Sequence, residues 1–245
     1  MKIHAIAIRL ILAGLTLTSG LAMADSSDDP VNGQAVEVPA RYVFAPKGFD
    51  DNDTTVVMVD GYLPSGCYRL LRPEVNVDIA TKTVRIKPMA RFFDVPCVEA
   101  LIPYNFEVQL GVMAVGDYTV AVEASNVTEA LPVLEASNAG PDDYLYAPVD
   151  QATVTTAENG DQTAEISGRF TNSCMGWGDI RIIDNGKTVN VLPVITFDTD
   201  DRDCETGEFA YKKSVLLPRT TFTGRRLLHV RSLNGRAINY MFSTH

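Results

Sequence analysis

Cys67 and Cys97 lie 30 residues apart, Cys174 and Cys204 lie 30 apart, and the second pair follows the first at an offset of 107. Equal spacing at a fixed offset requires the chain to build one frame twice. Neighbouring residues repeat with the cysteines. Gly61 precedes Cys67 by six residues, as Gly168 precedes Cys174. Val108 and Leu110 follow Cys97 by 11 and 13 residues, as Val215 and Leu217 follow Cys204, and Gly116 and Gly224 come at 19 and 20. Tyr42-Val43-Phe44-Ala45-Pro46 matches Tyr144-Leu145-Tyr146-Ala147-Pro148. Two units of about 100 residues, an ordinary domain size, are expected at 41–134 and 143–245. The polar, breaker-rich stretch 135–142 reads as a linker.

Four cysteines allow three pairings. Units that each fold alone require internal bonds, Cys67–Cys97 and Cys174–Cys204, each contributing roughly 3–4 kcal/mol in the chain-entropy view. A metal site would want Cys-x2-Cys or a histidine cluster, and a redox pair would want Cys-x-x-Cys; the sequence has neither.

Lys2 and Arg9, a short apolar run at 10–15, and Ala22-Met23-Ala24 read as a cleavable secretory signal over residues 1–24. That address suits disulfides. Residues 25–40, opening Asp25-Ser26-Ser27-Asp28-Asp29, read as a flexible acidic leader. Asp25 and not a cysteine stands directly after Ala24, so a bacterial lipid anchor is not expected, and no other apolar run reaches the length of a membrane span. The expected location is secreted or periplasmic.

Between the cysteines the hydrophobic period is two. Val75, Val77 and Ile79 alternate with polar residues, as do Val84 and Ile86, then Phe106, Val108 and Leu110, then Tyr118, Val120 and Val122. The second unit copies this, with hairpin signals at Asn185-Gly186 and Asn234-Gly235. Only residues 127–134 suggest a helix, and Pro132 opposes it. About seven short strands per unit predict an all-β fold of two tandem antiparallel β-sandwich domains, each with one internal disulfide.

Gly116-Asp117-Tyr118-Thr119-Val120 resembles the Gly-x-Tyr-x-Cys approach to a late strand of immunoglobulin-like domains, with Val120 in place of the cysteine. The second unit has Gly224-Arg225-Arg226 there and lacks the tyrosine. Trp177 follows Cys174 by three residues rather than standing midway between the cysteines. The resemblance implies an immunoglobulin-like architecture and no particular activity.

Candidate chemistry is sparse. A net charge of −10, from 31 acids and 21 bases, disfavours nucleic acid as a partner. Apart from His4, in the signal, the histidines are His229, between Leu228 and Val230 in a strand, and the terminal His245. No Gly-x-Ser-x-Gly elbow is present. Asp198, Asp200 and Asp203 open like a calcium loop, but Arg202 and Phe209 occupy positions that an EF-hand gives to ligands. Phe49-Asp50-Asp51-Asn52-Asp53 is a weaker version. Tyr42/Phe44 and Tyr144/Tyr146 suit a strand's core face, and Trp177 suits either packing or a sugar platform.

The strongest asymmetry is in charge. Residues 210–245 hold seven bases and no acids. Arg225, Arg226, Arg231 and Arg236 could form a cationic face for an anionic partner, or could be neutralised by the acidic first unit. The reading is a non-enzymatic secreted or periplasmic binding protein with a protein or glycan partner and no cofactor. The alternatives are a proteinase inhibitor presenting the loop Pro64-Ser65-Gly66-Cys67-Tyr68, and a carboxylate hydrolase with its cleft between the units.

Overall fold

The computed structural model describes residues 33–142, 144–198 and 203–244, so the secretory-signal reading of 1–24 lies outside the described residues. The first half contains β1 (Gln34–Glu37), β2 (Ala40–Phe44), β3 (Phe49–Asp50), β4 (Thr55–Leu63), β5 (Tyr68–Leu70) and β6 (Glu74–Asp78). It continues with β7 (Thr83–Lys87), β8 (Met89–Phe92), β9 (Ile102–Gly111), β10 (Gly116–Val122) and β11 (Val127–Leu134). The second half contains β12 (Val149–Thr156), β13 (Gln162–Asn172), β14 (Met175–Asp184) and β15 (Thr188–Phe197). It ends with β16 (Thr206–Leu216), β17 (Gly224–Ser232) and β18 (Arg236–Thr244). The fold is all-β, and among the described residues no sheet spans the two halves.

One plan serves both halves. β2-β4-β9 in the first corresponds to β12-β13-β16 in the second, and β6-β7-β10-β11 corresponds to β14-β15-β17-β18. The pairings agree strand for strand. β10 runs parallel to β7 and antiparallel to β11, as β17 runs parallel to β15 and antiparallel to β18. These are antiparallel sandwiches with a parallel pair in each half, a third one joining β3 to β11. The first half adds β3 and a small sheet, β1-β8-β5.

The repeated glycines have a shared physical cause. Gly61 on β4 sits beneath Tyr104, whose hydroxyl donates to the Pro39 carbonyl at 2.8 Å. Gly168 on β13 sits beneath Tyr211, whose hydroxyl donates to the Pro148 carbonyl at 2.9 Å. A Cβ at either glycine would lie within 2.7 Å of both the tyrosine hydroxyl oxygen and the carbonyl oxygen. The disulfides Cys67–Cys97 and Cys174–Cys204 close the same end of the β4/β9 and β13/β16 ladders, with Cα separations of 5.5 and 5.4 Å.

Each half has its own core. Val43, Val57, Val59, Val84, Val120 and Leu131 anchor the first, and Ala164, Ile166, Val189, Val191, Leu228 and Val230 the second. A third cluster, Phe44, Met58 and Leu227, joins the halves. It arises because β4 and β17 are buried on both faces. Val57 and Val59 face the first core, while Met58 packs with Leu227 and Asp60 meets Arg225 of the second half. Leu228 and Val230 face the second core, while Arg225, Leu227, His229 and Arg231 face the first half.

Several expectations are corrected. The leader does not extend to residue 40, because β1 pairs with β8 and Val38 is buried in the first core. Residues 127–134 form β11, with Pro132 accommodated opposite Asp117 of β10. Asn234 and Gly235 both take positive φ, 62° and 67°, as a hairpin turn asks, whereas at Asn185-Gly186 only Gly186 does. Residues 135–142 are stitched to both halves. Ala136 N donates to Asp51 Oδ1 at 2.9 Å, and Asp142 accepts from Gly235 N at 3.1 Å.

Candidate functional site

The expected cationic face is not a surface. Arg226 is 0% exposed and Arg231 is 4% exposed; of the four arginines, only Arg236 is exposed. Arg225 Nη1 lies 2.6 Å from the buried carboxylate of Asp60, Arg226 Nη2 donates to Asp184 Oδ1 at 2.7 Å, and Arg231 Nη2 donates to Asp53 Oδ1 at 2.5 Å. Alternation also separates them: Arg225 and Arg231 point to the first half, and Arg226 points the other way, to the turn at Asp184 and Gly186. The register pairs Arg226 with Phe242 and Ser232 with Arg236, so Arg226 and Arg236 sit at opposite ends of the hairpin. The physical reason is double burial: β17 has β15 and β18 beside it and a domain on each face. Elsewhere in the basic segment, Lys212 pairs with Glu165 and Arg219 with Asp161.

Arg231 fills the place that the sequence offers to a cation in the loop at Asp50-Asp51-Asn52-Asp53. Asp53 and Asp142 flank its guanidinium, Gly48 O accepts from Nη1 at 3.4 Å, and the rings of Phe49 and Tyr146 lie 5.2 and 5.6 Å from it. The buried carboxylates titrate accordingly. Burial raises Asp142 above the usual carboxylate range, against the pull of Gly235 N and Arg231. Burial raises Asp60 likewise, against Arg225 and Arg41.

His229 is fully buried between the halves, edge-on to Phe49 at 5.6 Å. Asn239 Nδ2 is engaged by Glu107 at 2.7 Å, so Asn239 Oδ1 accepts from His229 Nδ1 at 2.8 Å and fixes a neutral tautomer. Burial pushes the imidazole down to about 4. No solvent reaches His229, so it is placed as a structural residue of the seam. The crevice beside it, about 270 Å³, is lined by Glu107 as its one carboxylate, together with Arg231 and Arg236.

Trp177 is remote from the arginines. It packs edge-on against Phe170 and Tyr211 at 5.6 and 4.9 Å, with the Lys213 ammonium 5.6 Å above its ring, so the indole face is occupied. Of the candidate calcium ligands, Asp200 lies outside the described residues, and Asp198 and Asp203 each have a partner. Among the described residues no group of three or more His, Cys, Asp or Glu side chains could hold a metal ion.

The surface that sequence reasoning missed adjoins the first disulfide. Residues 94–103 are all exposed, and they carry Val95, Val98, Leu101 and Ile102 at 45, 70, 67 and 39%. The arm does not collapse because it is tied twice to the strand-end loop opposite, by Cys67–Cys97 and by Gly66 N donating to Val98 O at 2.9 Å. Two shallow hollows meet on it, sharing Pro64 and Leu101. The smaller, about 350 Å³, is lined by Pro39, Ala40, Arg41 and Tyr62 besides these two. The available signal was the contrast between Val95-Pro96-Cys97-Val98-Glu99-Ala100-Leu101 and Arg202-Asp203-Cys204-Glu205-Thr206-Gly207-Glu208, which has no aliphatic side chain.

The profile of the ORF11 beta-sandwich domain family matches residues 57–132, the span from β4 into β11 of the first half. No curated protein and no solved structure matches the chain.

Proposed function

We propose that the protein is a non-enzymatic binding module of a secreted or periplasmic setting, and that it docks a partner protein on the apolar arm at 94–103. The observation that carries this is the exposure of Val95, Val98, Leu101 and Ile102 on one disulfide-held segment. Apolar side chains grouped on a fixed surface are what a protein partner buries, and their exposure is costly without one. A glycan is the weaker partner, because the one tryptophan is packed and covered by Lys213. The disulfides support the extracytoplasmic setting. No helix among the described residues is long and apolar enough to cross a membrane. The immunoglobulin-like affinity of the sandwiches belongs to this reading as an architecture suited to presenting loops.

The inhibitor alternative gains no support. Cys67, in its candidate loop, is buried, and Cys67 N and Tyr68 N are both bonded back to Ser65, so the loop is the anchoring side of the disulfide.

The test is the double substitution Val98→Asp and Leu101→Asp. Both sites are exposed, so the melting temperature should stay within a few degrees of wild type. Partner proteins recovered with the wild type by in situ crosslinking should be lost with the variant. Recovery of the same proteins by both would refute the arm as the docking surface.

A further inference from the structure

A second surface lies along the edge of the five-stranded sheet of the first half. β6 is the last strand of the sheet β3-β11-β10-β7-β6, and among the described residues no strand pairs with its outer edge. Val77 and Val75 stand opposite Val84 and Ile86 of β7, which are 0 and 1% exposed. Yet Val75, Val77 and Ile79 are 41, 38 and 60% exposed. The core face of the sheet therefore runs out into solvent as an apolar shelf beside unused backbone donors and acceptors. Proteins usually blunt such an edge with charge, proline or a bulge.

The duplicated half does so. Its equivalent edge, β14, breaks register between Trp177 and Ile180. It also carries Asp179 and Arg181, an exposed ion pair, with the Arg181 guanidinium 4.2 Å from the Tyr144 ring. β6 has no bulge and pairs with β7 in unbroken register over all five residues. The bulge is present on one copy of the frame and absent from the other, where charge stands only at the two ends of the strand, on Glu74 and Asp78.

The side chains of β6 also state what fits. Its established neighbour β7 places Val84 and Ile86 against the two valines, Arg85 against Asn76 and Lys87 against Glu74. The outer edge offers the same valines and the same acids. A second copy of this chain is the wrong occupant. Antiparallel pairing of β6 with itself about Asn76 sets Glu74 opposite Asp78, and like charges directly opposite are destabilising. Asp78 stays ionised, since it accepts from Ala80 N and Thr81 N at 3.0 and 3.1 Å.

We infer that the outer edge of β6 accepts an extended segment of a partner protein whose side chains alternate between apolar and basic. The segment adds a strand to the sheet, its apolar side chains extending the Val75/Val77 shelf and its basic ones facing Glu74 and Asp78. This is independent of the disulfide arm.

The probe is a capped heptapeptide alternating lysine with valine, added to the full chain and read by hydrogen exchange at the amides of residues 74–78. Outward amides of β6 should slow by about tenfold or more near saturation, as edge groups do on joining a ladder. A peptide with its lysines gathered at one end should not protect them. The variant Glu74→Lys/Asp78→Asn keeps the turn acceptor at 78 while reversing the charge. It should bind the lysine peptide about tenfold more weakly and accept a glutamate–valine peptide instead. An unchanged melting curve confirms its fold, and Val98→Asp/Leu101→Asp should leave the peptide response intact. Three results would overturn the inference: no protection at β6, equal protection by the segregated peptide, or self-association of the wild type through β6.

Discussion

β10 and β17 hold the same place in the two halves, and they differ in what covers their outer face. The inner faces agree: Tyr118, Val120 and Val122 are buried on β10, as Arg226, Leu228 and Val230 are on β17. The outer face of β10 shows Asp117, Thr119 and Ala121, which are exposed or half-buried. The outer face of β17 shows Leu227, His229 and Arg231, all within 4% of complete burial, and Arg225, half-covered against Asp60. An arginine cluster that would be a binding surface on β10 is a seam on β17, because the acidic first half lies against it. Charge on a strand specifies a need for a partner, and here the partner is the same chain.

The largest effect separates Arg231 from its counterpart Glu123. Arg231→Leu strands two carboxylates in the seam and should cost about 3–5 kcal/mol in urea unfolding. Glu123→Leu, where the side chain is 61% exposed and pairs with Arg85, itself 43% exposed, should stay within about 1 kcal/mol.

Removing either disulfide by a double Cys→Ala change should cost roughly 3–4 kcal/mol. The two losses should be similar, since both sequence separations are 30. Markedly unequal losses would show that the halves do not share one frame in energetic terms.

His229, where β10 has Ala121, should make the second half the acid-sensitive one. The unfolded histidine takes up its proton near 6.5, but the folded one refuses it until about 4. Stability therefore falls as pH drops from 6.5 to 4, by on the order of 3 kcal/mol. Asp60 and Asp142 act with opposite sign: their folded carboxyls hold protons more tightly, which favours the fold as pH falls toward the ordinary carboxylate range. Urea unfolding of His229→Gln across that window should show a flatter pH dependence than wild type. The smallest effect is expected for Asp117→Ala on the open face of β10, within about 0.5 kcal/mol in the same assay.

The frame was legible in the sequence because its causes are local. The cysteine spacing, the two buried glycines and the period-two runs each constrain a few neighbouring residues. The seam was not legible, because alternation assigns residues to faces and says nothing of what covers a face. One signal pointed to it: Leu227-Leu228 puts leucine on both faces of β17, which suits a strand buried twice. The leader stops short of residue 40 for a related reason: the acidic opening at 25–29 is local, whereas Val36 and Val38 join a core assembled from distant strands. The apolar arm at 94–103 was read past because loops carry no periodicity.

The central claim is that the basic strand is neutralised by the first half. A double-mutant cycle on Arg231 and Asp53 by urea unfolding tests it most directly. If they form a buried pair, Arg231→Leu and Asp53→Leu should each cost about 3–5 kcal/mol, and the double variant should cost far less than their sum, a coupling of about 2 kcal/mol or more. Additive losses, with a coupling near zero, would contradict the seam and return Arg231 to the surface.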